Sequence, residues 1–496
     1  MPIAAARVLH DLLDAAEART PDRTAVLDRD VTWTYSRLAG RSRACAALLE
    51  RLGVEPGARV MVCLANRAVV AALLFGTSRA GAVLVPVDPG VPPHRLRAIA
   101  ADAEPAVVIT EPGVVADVGG VVLPLDELER MLGDDDPGAG DVPRVEVAPS
   151  RVALLMYTSG STSSPKGVVC PHDRVLFATR AIADRLGYRD DDRVFVHVPL
   201  SFDYGLYQLF LACTASASVY LSSGGTVGVL RELAGSGSTV VPVVPPLAEV
   251  LGALAERKPT ATRVRLFTNT GATLGTPVAN RLRANFPGSS VVFMFGLTEC
   301  KRVSISQPDE DLVHPGVVGT PLVGTTVHVA DERGRVLPPG RVGEIVVTGP
   351  HVMAGYHRDE ELTATRFPRL PDGTPVLRTG DLGWLDEGGR LYFHGRDDDV
   401  FKRRGVRMST TEIEAAACDV PGVRAAVAVP AGEELSLAVT GDLAPEAVLA
   451  ELTLRLEPAK RPDRCVVVDA LPLTVNGKVD RAAVTALLTE RAVVES

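Results

Sequence analysis

Short apolar segments alternate along most of this chain with segments of helical periodicity. The helical segment Ser36–Leu52 precedes two strand-like segments, Arg59–Leu64 and Ala82–Pro86. The helical segment Pro93–Ala101 and the strand-like segment Ala106–Thr110 continue the series. Because parallel strands need a crossover between them, usually a helix, this alternation predicts mostly parallel sheets covered by helices.

The alternation resumes further along the chain and then changes character. A second strand–helix series occupies residues 173–295, and from Gly316 the chain has short strands with frequent glycine and proline. A charged run that begins at Arg396 precedes a compact tail. Because 496 residues exceed what one hydrophobic core supports, we expect several units.

We therefore predict an α/β fold with two domains. A large N-terminal domain, residues 1–396, would hold two helix-covered, mostly parallel sheets and a small β-rich subdomain at about residues 316–396. A small mobile α+β domain, residues 397–496, would follow.

Composition excludes several classes of protein. A formal net charge of −9 argues against a nucleic-acid partner, which would need a basic face. The seven cysteines are scattered without a Cys-x-x-Cys pair, which favours reduced thiols in a cytoplasmic protein over a zinc site or a disulfide framework. The most apolar stretch, Ala68–Val87, is interrupted by Arg79 and Gly81, so it predicts a buried helix and a strand but no membrane span.

A loop rich in hydroxyls and glycines follows the apolar segment Val152–Met156. It runs from Tyr157 to Gly167 and contains Thr158, Ser159, Gly160, Ser161, Thr162 and Lys166. Glycines expose backbone N–H groups, hydroxyls add donors and the lysine adds charge, so the loop predicts a phosphate-binding site. It differs from a Walker A loop, in which Ser or Thr follows the lysine directly.

Four further motifs follow in order. They are Phe295-Gly296-Leu297-Thr298-Glu299, Leu377–Gly383 around Asp381, the run from Gly395 through Arg396 to Gly405, and Leu473–Lys478. With the loop they resemble the motifs of the adenylate-forming superfamily, which includes acyl-CoA synthetases, nonribosomal-peptide adenylation domains and luciferases. The resemblance covers the chain from the helix near Leu9 to Lys478.

The resemblance implies an AMP-forming acid–thiol ligase that uses ATP and Mg²⁺. The hydroxyl-rich loop and Lys166 would grip the β- and γ-phosphates, Thr298 would contact the α-phosphate, and Glu299 would hold Mg²⁺. Asp381 would accept from the ribose hydroxyls, and Arg396 would reach the ribose or the α-phosphate. The remaining nucleotide contacts would come from Gly271, Ala272, Phe295 and Gly296, with the Phe295 ring where the family usually has an adenine-stacking tyrosine.

The resemblance also implies a rotating C-terminal domain. Lys478 would bridge the acyl carboxylate and the α-phosphate during adenylation, and a pivot at Asp398 would then turn the domain for thioester formation. The neighbouring Asp397 and Asp399 leave the pivot ambiguous by one residue. Loops that carry three aspartates are also common as solvated turns.

Asp203 is the residue that bears most on the choice of acid. Amino-acid adenylation domains carry a Phe-Asp pair at the position of Phe202 and Asp203, and its aspartate binds the substrate ammonium. An aspartate beside an apolar pocket needs a cation, which favours a substrate with an amine. This segment most resembles the corresponding segment of stand-alone enzymes that load β-amino acids or proline onto carrier proteins. Alternatively, Asp203 caps a helix that starts at Tyr204.

Lys301 and Arg302 directly follow the motif that ends in Glu299 and Cys300. Either they pair with a second substrate carboxylate, as in an aspartate-like acid, or they form internal ion pairs or face the nucleotide. Tyr207 and Thr270 complete the predicted substrate pocket.

Three functions stay open at this point. The first is activation of a small amino acid, such as a β-amino acid, and its transfer to the phosphopantetheine thiol of a free-standing carrier protein. The second is AMP-forming ligation of a non-amino acid to coenzyme A, and the third is a nucleotide-binding scaffold without catalysis. Too few residues follow Lys478 for a carrier domain, so we expect the acceptor thiol on a separate molecule.

Overall fold

The computed structural model describes residues 6–112, 118–133, 145–158, 165–222, 225–396, 400–403, 406–432, 434–456, 458–474 and 479–495. These residues form five sheets and a set of covering helices. The strands are β1 (Thr24–Leu27), β2 (Thr32–Thr34), β3 (Arg59–Cys63), β4 (Val83–Pro86), β5 (Val107–Thr110), β6 (Val121–Pro124), β7 (Val152–Thr158), β8 (Lys166–Pro171), β9 (Arg193–Val196), β10 (Ser218–Leu221), β11 (Val240–Val243), β12 (Leu266–Asn269), β13 (Ser290–Phe295), β14 (Ser304–Ile305), β15 (Thr320–Pro321), β16 (Thr326–Ala330), β17 (Gly343–Thr348), β18 (Val376–Leu385), β19 (Leu391–Arg396), β20 (Val400–Arg403), β21 (Val406–Ser409), β22 (Val423–Ala431), β23 (Glu434–Gly441) and β24 (Arg464–Val467).

The helices lie between these strands along most of the described chain. They are α1 (His10–Arg19), α2 (Tyr35–Arg51), α3 (Ala68–Arg79), α4 (Pro93–Ala103), α5 (Leu125–Leu132), α6 (His172–Leu186), α7 (Asp203–Ala215), α8 (Val229–Ser236), α9 (Pro245–Arg257), α10 (Thr276–Asn285), α11 (Glu360–Arg366), α12 (Thr410–Cys418), α13 (Pro445–Thr453) and α14 (Arg481–Glu495).

Two large sheets form the body of the protein. One has the order β15-β14-β13-β12-β11-β9-β10-β1-β2 and is parallel from β13 to β1, with antiparallel strands at its edges. The other has the order β6-β5-β3-β4-β7-β8 and is parallel except for β8, which pairs antiparallel with β7. The predicted α/β class with two helix-covered, mostly parallel sheets is therefore confirmed.

An extensive apolar core connects the two large sheets. Helices α2, α3, α6 and α7 contribute many of its buried residues. Phe75 of α3 meets Phe210 of α7 edge to face, with ring centroids 6.2 Å apart. All but the last residue of α3 is buried, which explains why the sequence of this segment is apolar on every side.

The remaining sheets are smaller. Strands β16–β19 form an antiparallel sheet, which confirms the predicted β-rich region after Gly316. Strands β20 and β21 pair with each other, and β22, β23 and β24 form a third small sheet that packs with α12, α13 and α14. Among the described residues, no helix is both long and apolar enough to cross a bilayer.

Candidate active site

Several predicted site residues follow neighbouring strands of the nine-stranded sheet. Phe295 ends β13, Thr270 follows the end of β12, and Asp203 begins α7 after β9. Because the carboxyl ends of parallel strands meet at one edge of a sheet, these residues lie along one rim. The structure links this rim by direct contact, since Tyr204 of α7 donates a hydrogen bond to the carbonyl of Thr268 on β12, 2.6 Å away.

Asp203 lies in the first turn of α7 and does not cap it. The helix already includes Asp203, and the residue at the cap position is Phe202, with extended backbone angles and no side-chain cap. The alternative that Asp203 caps a helix starting at Tyr204 is therefore wrong.

The carboxylate of Asp203 pairs with Arg302 instead. The distance from Arg302 Nη1 to Asp203 Oδ2 is 3.4 Å, and the side chains are 6% and 17% exposed, respectively. The guanidinium also stacks over the Tyr204 ring, 5.1 Å from its centroid. The internal ion pair that the sequence left open is thus present for Arg302.

Lys301 differs from its neighbour because it has no ionic partner among the described residues. Its side chain is fully buried, no described carboxylate pairs with Nζ, and the neutral thiol of Cys170 is its polar neighbour. The ammonium lies 5.7 Å from the centroid of the Tyr207 ring, whose hydroxyl is also buried without a partner in the described chain. A buried ammonium is costly unless it is paired, so the site is suited to an incoming anion.

The backbone at Lys301 is also unusual. Its φ is +63°, in the left-handed region that side chains other than glycine and asparagine seldom adopt. The turn is closed by a hydrogen bond from Lys301 N to the carbonyl of Leu297. Such strain persists where the surrounding structure enforces it, frequently at functional sites.

Cys170 of β8, the strand that begins with Lys166, interacts electrostatically with three of the predicted site residues. Burial raises the pKa of its thiol, the charge of Lys301 and a hydrogen bond with Lys301 oppose that rise, and the carboxylates of Asp203 and Glu299 add to it. Sequence analysis did not predict Cys170 as a residue of the site.

Glu299 lies in the turn after β13 and is partly exposed. Its Oε1 accepts a hydrogen bond from the Tyr356 hydroxyl at 2.7 Å, and no described residue donates to Oε2. A carboxylate with one oxygen available is a suitable ligand for Mg²⁺, which prefers a small number of protein carboxylates together with phosphate oxygens. The residues present thus fit the metal that the motif predicts.

Asp381 lies on β18 directly opposite Arg396 of β19. The guanidinium Nε is 3.4 Å from Asp381 Oδ1, and the aspartate side chain is 6% exposed whereas that of Arg396 is 48% exposed. The backbone N–H of Asp381 donates to the Thr379 hydroxyl. The pairing places the two predicted ribose residues together.

Phe295 and Gly296 lie at the end of β13. Phe295 is 7% exposed and packs against Phe393, with ring centroids 5.7 Å apart, so its use as an adenine platform stays a prediction. At Gly296 a Cβ atom would lie 1.9 Å from the carbonyl oxygen of Lys301, and the turn therefore requires glycine. Gly271 has a φ of +81°, as a tight turn after β12 requires, and Ala272 follows it on the surface.

The hydroxyl-rich loop joins β7 to β8. Its flanking residues Thr158 and Lys166 pair across the hairpin, and Arg95 donates to the Thr158 carbonyl at 3.1 Å. The other predicted loop residues Ser159, Gly160, Ser161 and Thr162 lie outside the described residues, as do Asp398 and Lys478. Their predicted roles stay predictions.

Comparison with known proteins agrees with the motifs. The sequence profile of the AMP-binding enzyme family matches residues 13–357. The L-proline–[L-prolyl-carrier protein] ligase of Pseudomonas fluorescens is 30% identical over 505 residues, which cover 96% of this chain and 98% of that protein. Pyochelin synthetase PchF of Pseudomonas aeruginosa is 36% identical over 431 residues, but the match spans only 24% of that longer protein.

Solved structures point the same way. The crystal structure of VinN has a TM-score of 0.73 and 43% identity, covering 78% of this chain and 98% of that one. A second VinN structure, 41% identical, is described as a complex with L-aspartate.

The fold and the site therefore define an adenylate-forming enzyme. The chain belongs to the AMP-binding enzyme family, whose members use ATP. Its relatives include a pyochelin synthetase and a carrier-protein ligase.

Proposed function

We propose that this protein activates an amino acid bearing a second carboxylate, of the aspartate kind, by joining it to AMP with release of pyrophosphate. The observation that carries the substrate class is the buried, unpaired ammonium of Lys301 beside the Asp203–Arg302 pair. An acid with one amine and two carboxylates would supply a cation for Asp203, an anion for Lys301 and the carboxylate that reacts.

The charges at the pocket support this assignment. Asp203 and Arg302 neutralise each other without substrate. Lys301, which directly precedes Arg302 in the chain, has no counter-ion among the described residues. A second carboxylate would complete the set, and paired, hydrogen-bonded charges are the form in which buried ions are tolerated. The description of the VinN structure as a complex with L-aspartate points to the same class of ligand.

The reaction needs positioning of two anions. Lys166, Thr298 and Arg396 would hold the triphosphate and the α-phosphate, and Asp381 would fix the ribose. Mg²⁺ held by Glu299 would offset the negative charge of the phosphates. Attack of the acid carboxylate on the α-phosphorus would form the acyl-adenylate and expel pyrophosphate, with Lys478 bridging the two reacting groups.

A separate carrier protein would receive the acyl group. Its phosphopantetheine thiol would attack the acyl carbon, and AMP would leave. The carrier-protein ligase of Pseudomonas fluorescens, matched over nearly its whole length, supports this acceptor over coenzyme A. We place the protein in the cytoplasm, where its cysteines, all free among the described residues, would stay reduced.

One observation favours a second candidate. Because Arg302 already pairs with Asp203, the aspartate does not need a substrate amine to be stable. The protein would then ligate a non-amino acid to coenzyme A.

ATP–pyrophosphate exchange tests the proposal. The panel would hold dicarboxylic amino acids such as aspartate, glutamate and 3-aminoglutarate, monocarboxylic amino acids such as β-alanine and proline, and amine-free acids such as malonate and succinate. We expect exchange with one or more amino acids of the dicarboxylic group. Exchange only with amine-free acids would establish the second candidate, and exchange only with monocarboxylic amino acids would remove Lys301 from substrate recognition.

A further inference from the structure

Tyr356 contacts both Glu299, which follows β13, and strand β8, which begins with Lys166. Its hydroxyl donates to Glu299 Oε1, 57 positions away in the chain, at 2.7 Å. The backbone adds a second link nearby, because Met353 N donates to the Glu299 carbonyl at 2.8 Å. Glu299 is therefore held from its backbone and from its side chain by one short segment, residues 353–357.

The same segment is bound to strand β8. Val169 N donates to the Gly355 carbonyl at 2.9 Å, Ala354 N donates to the Val169 carbonyl at 3.0 Å, and His357 N donates to the Gly167 carbonyl at 2.7 Å. Tyr356 itself lies opposite Val168 in an antiparallel bridge. The segment thus extends the sheet next to Lys166, and it fixes the distance between the phosphate-loop strand and Glu299.

The packing around Tyr356 leaves little freedom. At Gly355 the φ is +125°, and a Cβ atom would lie 2.4 Å from Thr363 Cγ2. The Thr363 hydroxyl accepts from Tyr356 N at 2.9 Å, and the Phe367 ring meets the tyrosine ring edge to face at 5.3 Å. The phenol is therefore oriented before any ligand arrives.

The hydrogen bond from Tyr356 leaves the two oxygens of Glu299 in different environments. The tyrosine hydroxyl takes up Oε1 of the carboxylate. No described residue donates to the other oxygen, Oε2.

We propose that Tyr356 is a positioning residue that fixes the Glu299 carboxylate so that Oε2 is presented to the Mg²⁺ of the nucleotide. This inference rests on the proposed function, because it takes Glu299 as a metal ligand. Residues that hold a metal ligand by hydrogen bonds typically change metal affinity about 10–100-fold when they are removed.

The test is Mn²⁺ binding, measured by electron paramagnetic resonance in the presence of α,β-methylene-ATP, an analogue in which the bond that adenylation breaks cannot be cleaved. Tyr356→Phe keeps the ring against Phe367 and removes only the hydroxyl. We expect its affinity for Mn²⁺ to fall about tenfold, while binding of the analogue in the presence of a chelator is unchanged. The matched control is Tyr35→Phe, which also removes a buried hydroxyl. That hydroxyl lies away from the site and donates to the Ala217 carbonyl, 2.6 Å from it.

The control is expected to bind Mn²⁺ like the wild type. Wild-type Mn²⁺ affinity in Tyr356→Phe would overturn the inference and leave the proposed function standing. An equal loss in both variants would overturn it too, because the effect would then be structural. No metal–nucleotide binding by the wild type would overturn the proposed function together with the inference.

Discussion

At the scale of single residues, Lys301 is the most unusual feature of the site. It combines full burial, a positive φ and an ammonium without a carboxylate partner in the described chain. Its neighbour Arg302 is paired with Asp203, so two adjacent cations have different roles. We interpret Arg302 as part of the apo pocket and Lys301 as the receptor for a group that the substrate brings.

Replacing Lys301 tests whether it binds the second carboxylate of the substrate. In Lys301→Met, the KM for a dicarboxylic amino acid should rise about tenfold or more, since a hydrogen bond to a charged group contributes about 1.5–3 kcal/mol. The KM for ATP should not change. Because an unpaired buried ammonium is removed, the midpoint of urea unfolding should stay the same or increase.

The substrate supplies the control for this variant. A monocarboxylic amino acid has no group for Lys301, so its residual exchange rate should be the same in the wild type and in Lys301→Met. A variant that loses activity toward both substrates equally, or that unfolds more easily, would assign Lys301 to the fold and not to recognition.

The residue scale also shows what the sequence could predict. Glu299, Asp381 and Arg396 could be predicted as nucleotide-site residues because nucleotide chemistry is fixed and its residues lie in short local motifs. Tyr356 and Cys170 were missed because their roles arise from contacts across the fold: Tyr356 and Glu299 are 57 positions apart. The Asp203–Arg302 pair spans 99 positions, and nothing local distinguishes it from a pairing with substrate.

At the scale of elements, the turn after β13 depends on a close backbone contact. A Cβ atom at Gly296 would overlap the Lys301 carbonyl oxygen, so Gly296→Ala must displace the turn that carries Glu299 and Lys301. We expect a loss of about 1–3 kcal/mol in the free energy of unfolding, typical of overpacking, and a loss of pyrophosphate exchange. Urea unfolding and the exchange assay measure the two effects.

The matched control is Gly235→Ala in α8. No atom lies within 4 Å of a Cβ built at Gly235, which is exposed. Alanine should stabilise this helix by about 0.5–1 kcal/mol and leave exchange unchanged. Similar losses in both variants would contradict the importance of the Gly296 contact.

The junction of α1 and α6 predicts a pH dependence of stability. His172 is fully buried, its Nδ1 accepts from Leu9 N at 3.1 Å, and burial lowers its pKa from 6.5 to about 3. Between these values the unfolded chain binds the proton and the folded protein does not, so stability falls as the pH drops below about 6.5. At pH 5 the loss from this group is about 2 kcal/mol.

Substitution of His172 by glutamine tests that dependence. The amide oxygen can still accept from Leu9 N but does not titrate, so His172→Gln should lose about 2 kcal/mol less stability than the wild type between pH 7 and pH 5. The exposed His94 provides the control, and His94→Gln should keep the wild-type slope. Urea unfolding at the two pH values measures this. Identical slopes in all three proteins would show that His172 does not titrate as described.

Element positions were predicted well where periodicity is strong. The predicted helix Ser36–Leu52 is observed as Tyr35–Arg51, and the predicted strand Ala106–Thr110 as Val107–Thr110. The alternative in which Asp203 caps a helix that starts at Tyr204 is wrong by one residue, because the cap position belongs to Phe202. Burial of α7 on nearly all sides, and not a cap, holds that helix in place.

At the scale of the whole molecule, we propose that the reaction is divided between two domains. In this proposal the body holds the residues for the nucleotide and the acid, and the C-terminal region contributes Lys478. Lys478→Ala should abolish adenylate formation, measured by pyrophosphate exchange, and should leave carrier loading from supplied acyl-adenylate largely intact. An equal loss of both steps would contradict the assignment of Lys478 to adenylation alone.

The most direct measurement is a crystal structure with a non-hydrolysable adenylate of aspartate. We expect the substrate ammonium in contact with Asp203, the free carboxylate in contact with Lys301 Nζ, and the ribose hydroxyls on Asp381. A ligand whose free carboxylate points away from Lys301, or whose amine lies far from Asp203, would contradict the central claim.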